Sequence, residues 1–142
     1  MVTVFLVLLA GHAAAKDYDC SKVPLLTTVK EDGSKVGLLA SEEQFSKSPA
    51  WSPEKGEPPL SISKAVQIAA KWAKNEYKRY DGVKIEVITL NDYGCMSGKG
   101  HWYYTFHFAP VMDGSVLHGS GYFAAVLMNG TVVGPTKLKD GF

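Results

Sequence analysis

The chain has almost no surplus of charge and no long hydrophobic run. Its 142 residues include 15 Lys and Arg against 14 Asp and Glu, a formal net charge of +1. Such a balance gives no overall field that would attract nucleic acid or an anionic membrane. A membrane-spanning helix needs about 20 consecutive apolar residues, which this sequence does not contain. We therefore expect one domain, no nucleic-acid partner and no membrane span after leader removal.

Charged side chains are absent from residues 1–15. Residues 2–10 are apolar apart from Thr3, and Ala13 and Ala15 stand where signal peptidase requires small residues. This pattern predicts a signal peptide over residues 1–15, cleavage before Lys16, and a secreted or periplasmic protein. The alternative is a buried N-terminal strand, because residues 2–9 are rich in Val and Leu.

The chain has only two cysteines, Cys20 and Cys95, and both follow the expected cleavage site. An even number of cysteines in an exported chain favours a disulfide. Closing a loop of about 75 residues would stabilise the fold by roughly 4 kcal/mol. The alternative is a pair of unbridged thiols.

No set of residues forms a recognisable catalytic or metal-binding motif. His101 and His107 are six positions apart in one expected strand, about 20 Å, too far to share an ion, and His118 brings no third ligand. Cys95 and His101 flank a glycine-rich loop, but a nucleophilic cysteine also needs a group that orients its base. We predict a non-enzymatic protein with no cofactor and no metal; an enzyme using Cys95 and His101 is the alternative.

Residues 16–57 show the least regular pattern. Residues 46–59 contain four of the seven prolines, which resist helix and cannot donate ladder hydrogen bonds. We predict an extended, proline-rich arm over residues 16–57, with Trp51 as its anchor. Two short strands, residues 25–29 and 36–39, would be joined by a turn at Asp32-Gly33.

A helical pattern begins near residue 60 and continues to residue 80. Ser61 or Ser63 is placed to cap the first turn, and Gly82 follows as a stop signal. Apolar and small residues recur at helical spacing and define one face, which comprises Ile62, Ala65, Val66, Ala69, Ala73, Tyr77 and Tyr80. Lysines occupy the opposite side, which we expect to face solvent.

The pattern changes to strands after the helix. Residues 83–90, 101–109 and 121–128 read as strands, with turns at Asp113-Gly114 and Asn129-Gly130. The first turn places His107 opposite Ser120, so that Phe123, Ala125 and Leu127 would share the face of Trp102, Tyr104, Phe106 and Phe108. A bulge within residues 119–121 would change this register.

These elements predict an α+β fold over residues 58–142. One amphipathic helix would pack on a three- to five-stranded antiparallel sheet, against the ring-bearing face of residues 102–108. The opposite face carries Tyr103, Thr105, His107 and Tyr122. If no other layer covers it, these four residues form a candidate binding surface.

The C-terminal 60% of the chain resembles small exported domains of the PepSY-like and cystatin-like type. The resemblance is carried by Leu60-Ser61 with Ala65, Ile68 and Ala69, by Trp102-Tyr103-Tyr104, and by the hairpin at residues 129–133. Likeness to PepSY domains implies an inhibitory or binding module, and likeness to cystatins implies inhibition of cysteine peptidases. Residues 91–100 lack the cystatin pattern Gln-x-Val-x-Gly, and the turn at Asp113-Gly114 lacks Pro-Trp.

We therefore expect an exported, non-enzymatic binding module for a protein or peptide, engaged by strand addition at a sheet edge. One alternative is a small-molecule-binding α+β roll whose pocket lies between helix and sheet, with walls from Trp102, Tyr104 and Tyr77. Another is a peptidase-inhibitor-like module.

Overall fold

The computed structural model describes residues 19–95 and 100–139. The predicted signal peptide, residues 1–15, lies outside this range. Two α-helices and eight strands are present in the described residues: β1 (Leu26–Val29), β2 (Lys35–Leu38), α1 (Glu42–Ser46), α2 (Ile62–Glu76), β3 (Gly82–Asp92), β4 (Trp102–Met112), β5 (Ser115–Val116), β6 (Phe123–Leu127), β7 (Val132–Val133) and β8 (Pro135–Lys137). The strands form two antiparallel sheets, so the predicted α+β class is confirmed.

Helix α2 begins where the sequence predicts it. Ser61 is the N-cap, and its side chain accepts a hydrogen bond from the Lys64 N–H at 3.3 Å. Ala65, Ala69 and Ala73 are buried, and their small side chains let the helix backbone lie close to the sheet. The helix ends at Glu76 rather than near residue 80. Ile62, expected on the buried face, is 53% exposed because it occupies the first turn.

The main sheet has the order β3-β4-β6-β7, with β5 paired to β4. Its helix-facing side is lined by Tyr104, Phe106 and Phe108 from β4 and by Ala124 and Val126 from β6, all buried with the alanines of α2 in one cluster. The alanine-lined helix therefore packs on the ring-bearing face of β4, as predicted. Full burial of each large apolar side chain is worth about 1.5–3 kcal/mol.

The register between β4 and β6 differs from the expected one. Val111 lies opposite Val116, as a two-residue turn at Asp113-Gly114 requires, but His107 lies opposite Phe123 instead of Ser120. The register is displaced by three residues. Because this is an odd number, the β6 side chains are turned to the other face of the sheet. Phe123, Ala125 and Leu127 consequently share the face of Tyr103 and Thr105, and their expected position beneath the helix is wrong.

Pro110 gives a physical reason for this displacement. The Leu117 N–H donates to the Pro110 carbonyl at 2.8 Å, but proline has no N–H with which to return a bond. The ladder therefore stops there, and residues 117–122 leave the sheet. Ladder bonding resumes where the Phe108 N–H donates to the Tyr122 carbonyl at 2.8 Å.

Strand β3 and the last hairpin also depart from the pairing that strict alternation in β3 and a two-residue turn at Asn129-Gly130 would give. A bulge between Ile85 and Val87 changes the alternation, so Ile88 joins the helix-facing cluster and Val87 is 52% exposed. The turn at Asn129-Gly130 is present, but Val126, not Leu127, pairs with Val132.

A second sheet, of order β1-β2-β8, covers the other face of the main sheet. Val36 and Leu38 from β2 are buried in one cluster with Tyr103, Phe123 and Leu127. Phe45 from α1 stacks on Tyr93 at a centroid distance of 3.8 Å. Part of the predicted arm, residues 26–46, thus forms two strands and a helix and enters a core. The division of the chain at residue 57 stays a prediction.

Two contacts tie the N-terminal region to the loop between β3 and β4. Cys20 and Cys95 form a disulfide with a Cα–Cα distance of 5.7 Å, which confirms the predicted bridge. The Trp51 N–H donates to the Gly100 carbonyl at 2.8 Å, and the Trp51 side chain is buried against Trp102.

Candidate functional site

The four residues of the predicted binding surface lie in different environments. Tyr103 is 5% exposed and Thr105 is 3% exposed, because the second sheet covers them. The condition for that surface, that no other layer covers this face, is therefore not met at Tyr103 and Thr105. His107 and Tyr122 are half-buried and line a pocket of about 270 Å³. That any of the four contacts a ligand stays a prediction.

The histidines and cysteines do not converge on one site. His101 is buried beside Phe45, with a ring-centroid distance of 6.3 Å. The exposed His118 ring has its Nδ1 3.4 Å from Glu86 Oε1. Within residues 19–95 and 100–139, no three His, Cys, Asp or Glu side chains are grouped to hold a metal ion. Because Cys95 is bridged, it carries no free thiol for nucleophilic chemistry.

Strand β3 forms one edge of the main sheet. In the described part of the chain its only paired neighbour is β4. After the bulge, residues 87–92 run in an unbroken register against His107 to Trp102. Val87 is 52% exposed on the face away from the helix, and Leu90 is 36% exposed on the helix side. This segment is long enough to present a regular edge to another strand.

The hydrogen-bonding pattern shows which groups of β3 face outward. The Tyr93 N–H donates to the His101 carbonyl at 2.7 Å, and main-chain groups of an antiparallel strand alternate between its two sides. Thr89 and Asn91 therefore direct their main-chain groups toward β4. Ile88, Leu90 and Asp92 direct theirs away from the sheet, where another strand could pair with them.

A cleft of about 820 Å³ lies at a second place, between the end of α2 and the β1–β2 hairpin. One wall contains Tyr77, Arg79 and Tyr122, and the other contains Lys30, Asp32 and Lys137. The loop of residues 117–121, displaced from the sheet beyond Pro110, also lines it. The Ser120 hydroxyl fixes this loop to β1 by donating to the Val29 carbonyl at 3.0 Å.

Tyrosine rings and one guanidinium are grouped at this cleft. Tyr122 packs edge-on against Tyr77 and Tyr80, with centroid distances of 5.4 and 5.9 Å. The hydroxyl oxygens of Tyr80 and Tyr122 are 2.7 Å apart. Arg79 Nη2 donates to the Tyr80 hydroxyl at 2.7 Å. Burial raises the pKa of Tyr77, and the hydrogen bond with Tyr80 raises the pKa of Tyr122, so both hydroxyls stay protonated at neutral pH.

The cleft differs in position from the pocket that the sequence suggested. Tyr77 lines it, whereas Trp102 packs against Trp51 and Tyr104 is buried beside Leu60. Sequence reasoning missed Arg79, because a single basic residue after a lysine-bearing helix reads as solvated surface. The association of Tyr80 with Tyr122 depends on the displaced register of β6, for which Pro110 is the signal in the sequence.

In the described part of the chain, no helix is both long and apolar enough to cross a membrane. No family model, curated protein or solved structure matches the chain. The PepSY-like and cystatin-like resemblance therefore stays a prediction.

Proposed function

We propose that this chain is an exported, non-enzymatic binding module that takes up an extended segment of a protein or peptide as an extra strand along β3. The observation that carries the proposal is the regular edge of residues 87–92, which, among residues 19–95 and 100–139, pairs with β4 on one side alone. Strand addition draws affinity from main-chain hydrogen bonds and specificity from alternate side chains. Ile88, Leu90 and Asp92 supply the outward main-chain groups.

The side chains of β3 would select the added segment. Val87 and Leu90 offer exposed apolar area on opposite faces of the sheet, and an added strand would cover both with its own alternating residues. Lys84 and Glu86 lie near the bulge, and charges and bulges at an edge oppose indiscriminate pairing. The segment after the bulge is therefore the part of β3 that suits a selected partner.

Export is the second part of the proposal. The disulfide between Cys20 and Cys95 supports it, because such bridges persist mainly in oxidising compartments. The test is the mass of the protein recovered from the exported fraction without reductant. We expect a chain that starts at Lys16 and carries no free thiol; an unprocessed chain with two free thiols would contradict export.

The test of strand addition is a selection of peptides of about twelve residues against the chain, followed by amide hydrogen exchange in the complex. We expect exchange of the Ile88, Leu90 and Asp92 amides to slow. The Thr89 and Asn91 amides should change little, because they already bond to β4. Peptides that protect only amides outside β3, or a selection that retains no peptide, would contradict the proposal.

A matched pair of substitutions at one position separates main-chain from side-chain effects. Leu90→Pro removes an outward N–H and keeps the ladder to β4, since proline is tolerated where the N–H faces solvent. Leu90→Ala keeps the N–H and removes most of the side chain. Strand addition predicts that Leu90→Pro weakens peptide binding at least tenfold more than Leu90→Ala. Equal losses would indicate side-chain docking instead.

A further inference from the structure

Tyr77, Arg79 and Tyr122 line the cleft, and Tyr80 is hydrogen-bonded to Arg79 and Tyr122 beside it. Counted over the described residues, this group has one hydrogen-bond donor left over. Arg79 donates to the Tyr80 hydroxyl, and one bond joins the Tyr80 and Tyr122 hydroxyls. A guanidinium can only donate, so the bond between the rings uses one of the two phenolic protons. The other proton, whichever ring carries it, is left for a further acceptor.

Arg79 supplies a positive charge beside these hydroxyls. Its side chain is exposed, and Cζ lies 4.7 Å from the centroid of the Tyr80 ring. The bond to Tyr80 leaves other N–H groups of the Arg79 guanidinium available. Two N–H groups of a guanidinium can donate to the two oxygens of one carboxylate. A cation and a spare phenolic proton thus lie within one aromatic cluster.

The opposite wall carries charges of both signs, from Lys30, Glu31, Asp32 and Lys137. Asp32 Oδ1 accepts hydrogen bonds from the Ser34 hydroxyl at 2.6 Å and the Ser34 N–H at 2.9 Å. These bonds, with smaller contributions from Lys30 and Lys137, lower the pKa of Asp32. The carboxylate is therefore held ionised in the hairpin turn and partly neutralises the two lysines. Arg79 is the cation beside the rings.

We infer that this cleft is a binding site for a small aromatic carboxylate. The ring of the ligand would pack against Tyr77 and Tyr122, which both line the cleft. Its carboxylate would accept the spare phenolic proton and bonds from Arg79. A volume of about 820 Å³ falls in the range of pockets that bind small molecules. This site is separate from the β3 edge. The test of carboxylate binding is therefore independent of the test of peptide binding.

The inference is tested with the full chain and phenylacetate, with 2-phenylethanol and phenethylamine as matched probes. Binding is measured by isothermal titration calorimetry and by amide chemical shifts in NMR spectra. We expect phenylacetate to bind at least tenfold more tightly than the alcohol or the amine, because a bond to a charged group replaces a neutral one. Shifts should centre on residues 119–122 and on residues 77–80.

Variants locate the site. Arg79→Gln should weaken phenylacetate binding about tenfold or more and leave binding of the alcohol unchanged. Lys71→Gln is the control: it removes one positive charge from the exposed side of α2, away from the cleft, and should change neither. Tyr122→Phe removes one hydroxyl and should weaken phenylacetate binding several-fold.

Four results would overturn the inference. They are equal affinity for phenylacetate and 2-phenylethanol, tighter binding of phenethylamine than of phenylacetate, shifts centred outside the cleft, and no phenylacetate binding at millimolar concentration. Circular dichroism of each variant confirms that it is folded. If Tyr122→Phe fails to fold, the comparison of Arg79→Gln with Lys71→Gln still decides the matter, because both side chains are exposed.

Discussion

The hydroxyl of Tyr104 donates a hydrogen bond to the main-chain carbonyl of Leu60, 3.0 Å away and 44 residues earlier in the chain. Both residues are buried. The bond joins the segment that leads into α2 to the central strand β4. It fixes the position of the start of α2 on the sheet. The alanines of α2 fix how closely the helix packs against the sheet.

Removal of this hydrogen bond should destabilise the fold. Tyr104→Phe leaves the buried Leu60 carbonyl without its partner, which we expect to lower the free energy of unfolding by about 1–3 kcal/mol. The measurement is urea denaturation. The control is Tyr93→Phe, because the buried Tyr93 hydroxyl has no hydrogen-bond partner within the described residues; that change should be neutral or stabilising. Equal losses in the two variants would argue against the Tyr104–Leu60 bond.

Enlargement of a buried alanine of α2 should push the helix off the sheet. Ala69 is fully buried against the sheet, so Ala69→Leu should cost about 1–3 kcal/mol of unfolding free energy through overpacking. Ala70→Leu is the matched control, since Ala70 is exposed one position along the same helix, and it should change stability by less than about 0.5 kcal/mol. Two equally stable variants would contradict the observed packing of α2.

Loss of the disulfide should lower stability more than loss of the hydrogen bond between Tyr104 and Leu60. The bridge closes a separation of 75 residues, so the double variant Cys20→Ala/Cys95→Ala should lose roughly 4 kcal/mol. Urea denaturation of this variant is compared with that of the wild-type chain, with and without reductant. Reductant should destabilise the wild type and leave the variant unchanged. A variant within about 1 kcal/mol of the oxidised wild type would show that the bridge adds little.

Stability should fall at alkaline pH because of Tyr77. Burial raises the pKa of Tyr77 above its ordinary value near 10, so above pH 10 the unfolded chain loses this proton while the folded chain keeps it. The contribution of Tyr77 to the free energy of unfolding is therefore complete below pH 10. Above pH 10 it declines by up to about 1.4 kcal/mol per pH unit.

The measurement is the urea midpoint between pH 8 and pH 11 for the wild type and Tyr77→Phe. The variant should lose stability less steeply above pH 10, because phenylalanine has no proton to release. Other tyrosines with raised pKa values, including Tyr103 and Tyr104, should keep some slope in both proteins. Parallel curves for the two proteins would show that Tyr77 does not contribute.

The sequence predicts parts of the candidate sites only where a local pattern is sufficient. Residues 83–90 read as a strand from their composition, but the bulge that exposes Val87 depends on pairing with β4. The sequence predicts that Tyr103 and Tyr122 share the sheet face opposite the helix. The second sheet buries Tyr103, and the displacement of β6 brings Tyr122 to Tyr77 and Tyr80. No short-range signal reports on a layer formed mainly by β1 and β2, which lie more than 60 positions before Tyr103.

The sequence by itself determined the amphipathic helix and its capping serine, the alternating rings of β4, both turns and the pairing of the two cysteines, because each follows from local periodicity, turn chemistry or simple counting. Only the tertiary structure decided the register of β6 and the joining of β1, β2 and β8 into a covering sheet. The physical reason is that a strand has two nearly equivalent faces. Long-range packing selects between them, and here a proline without an N–H changed the outcome.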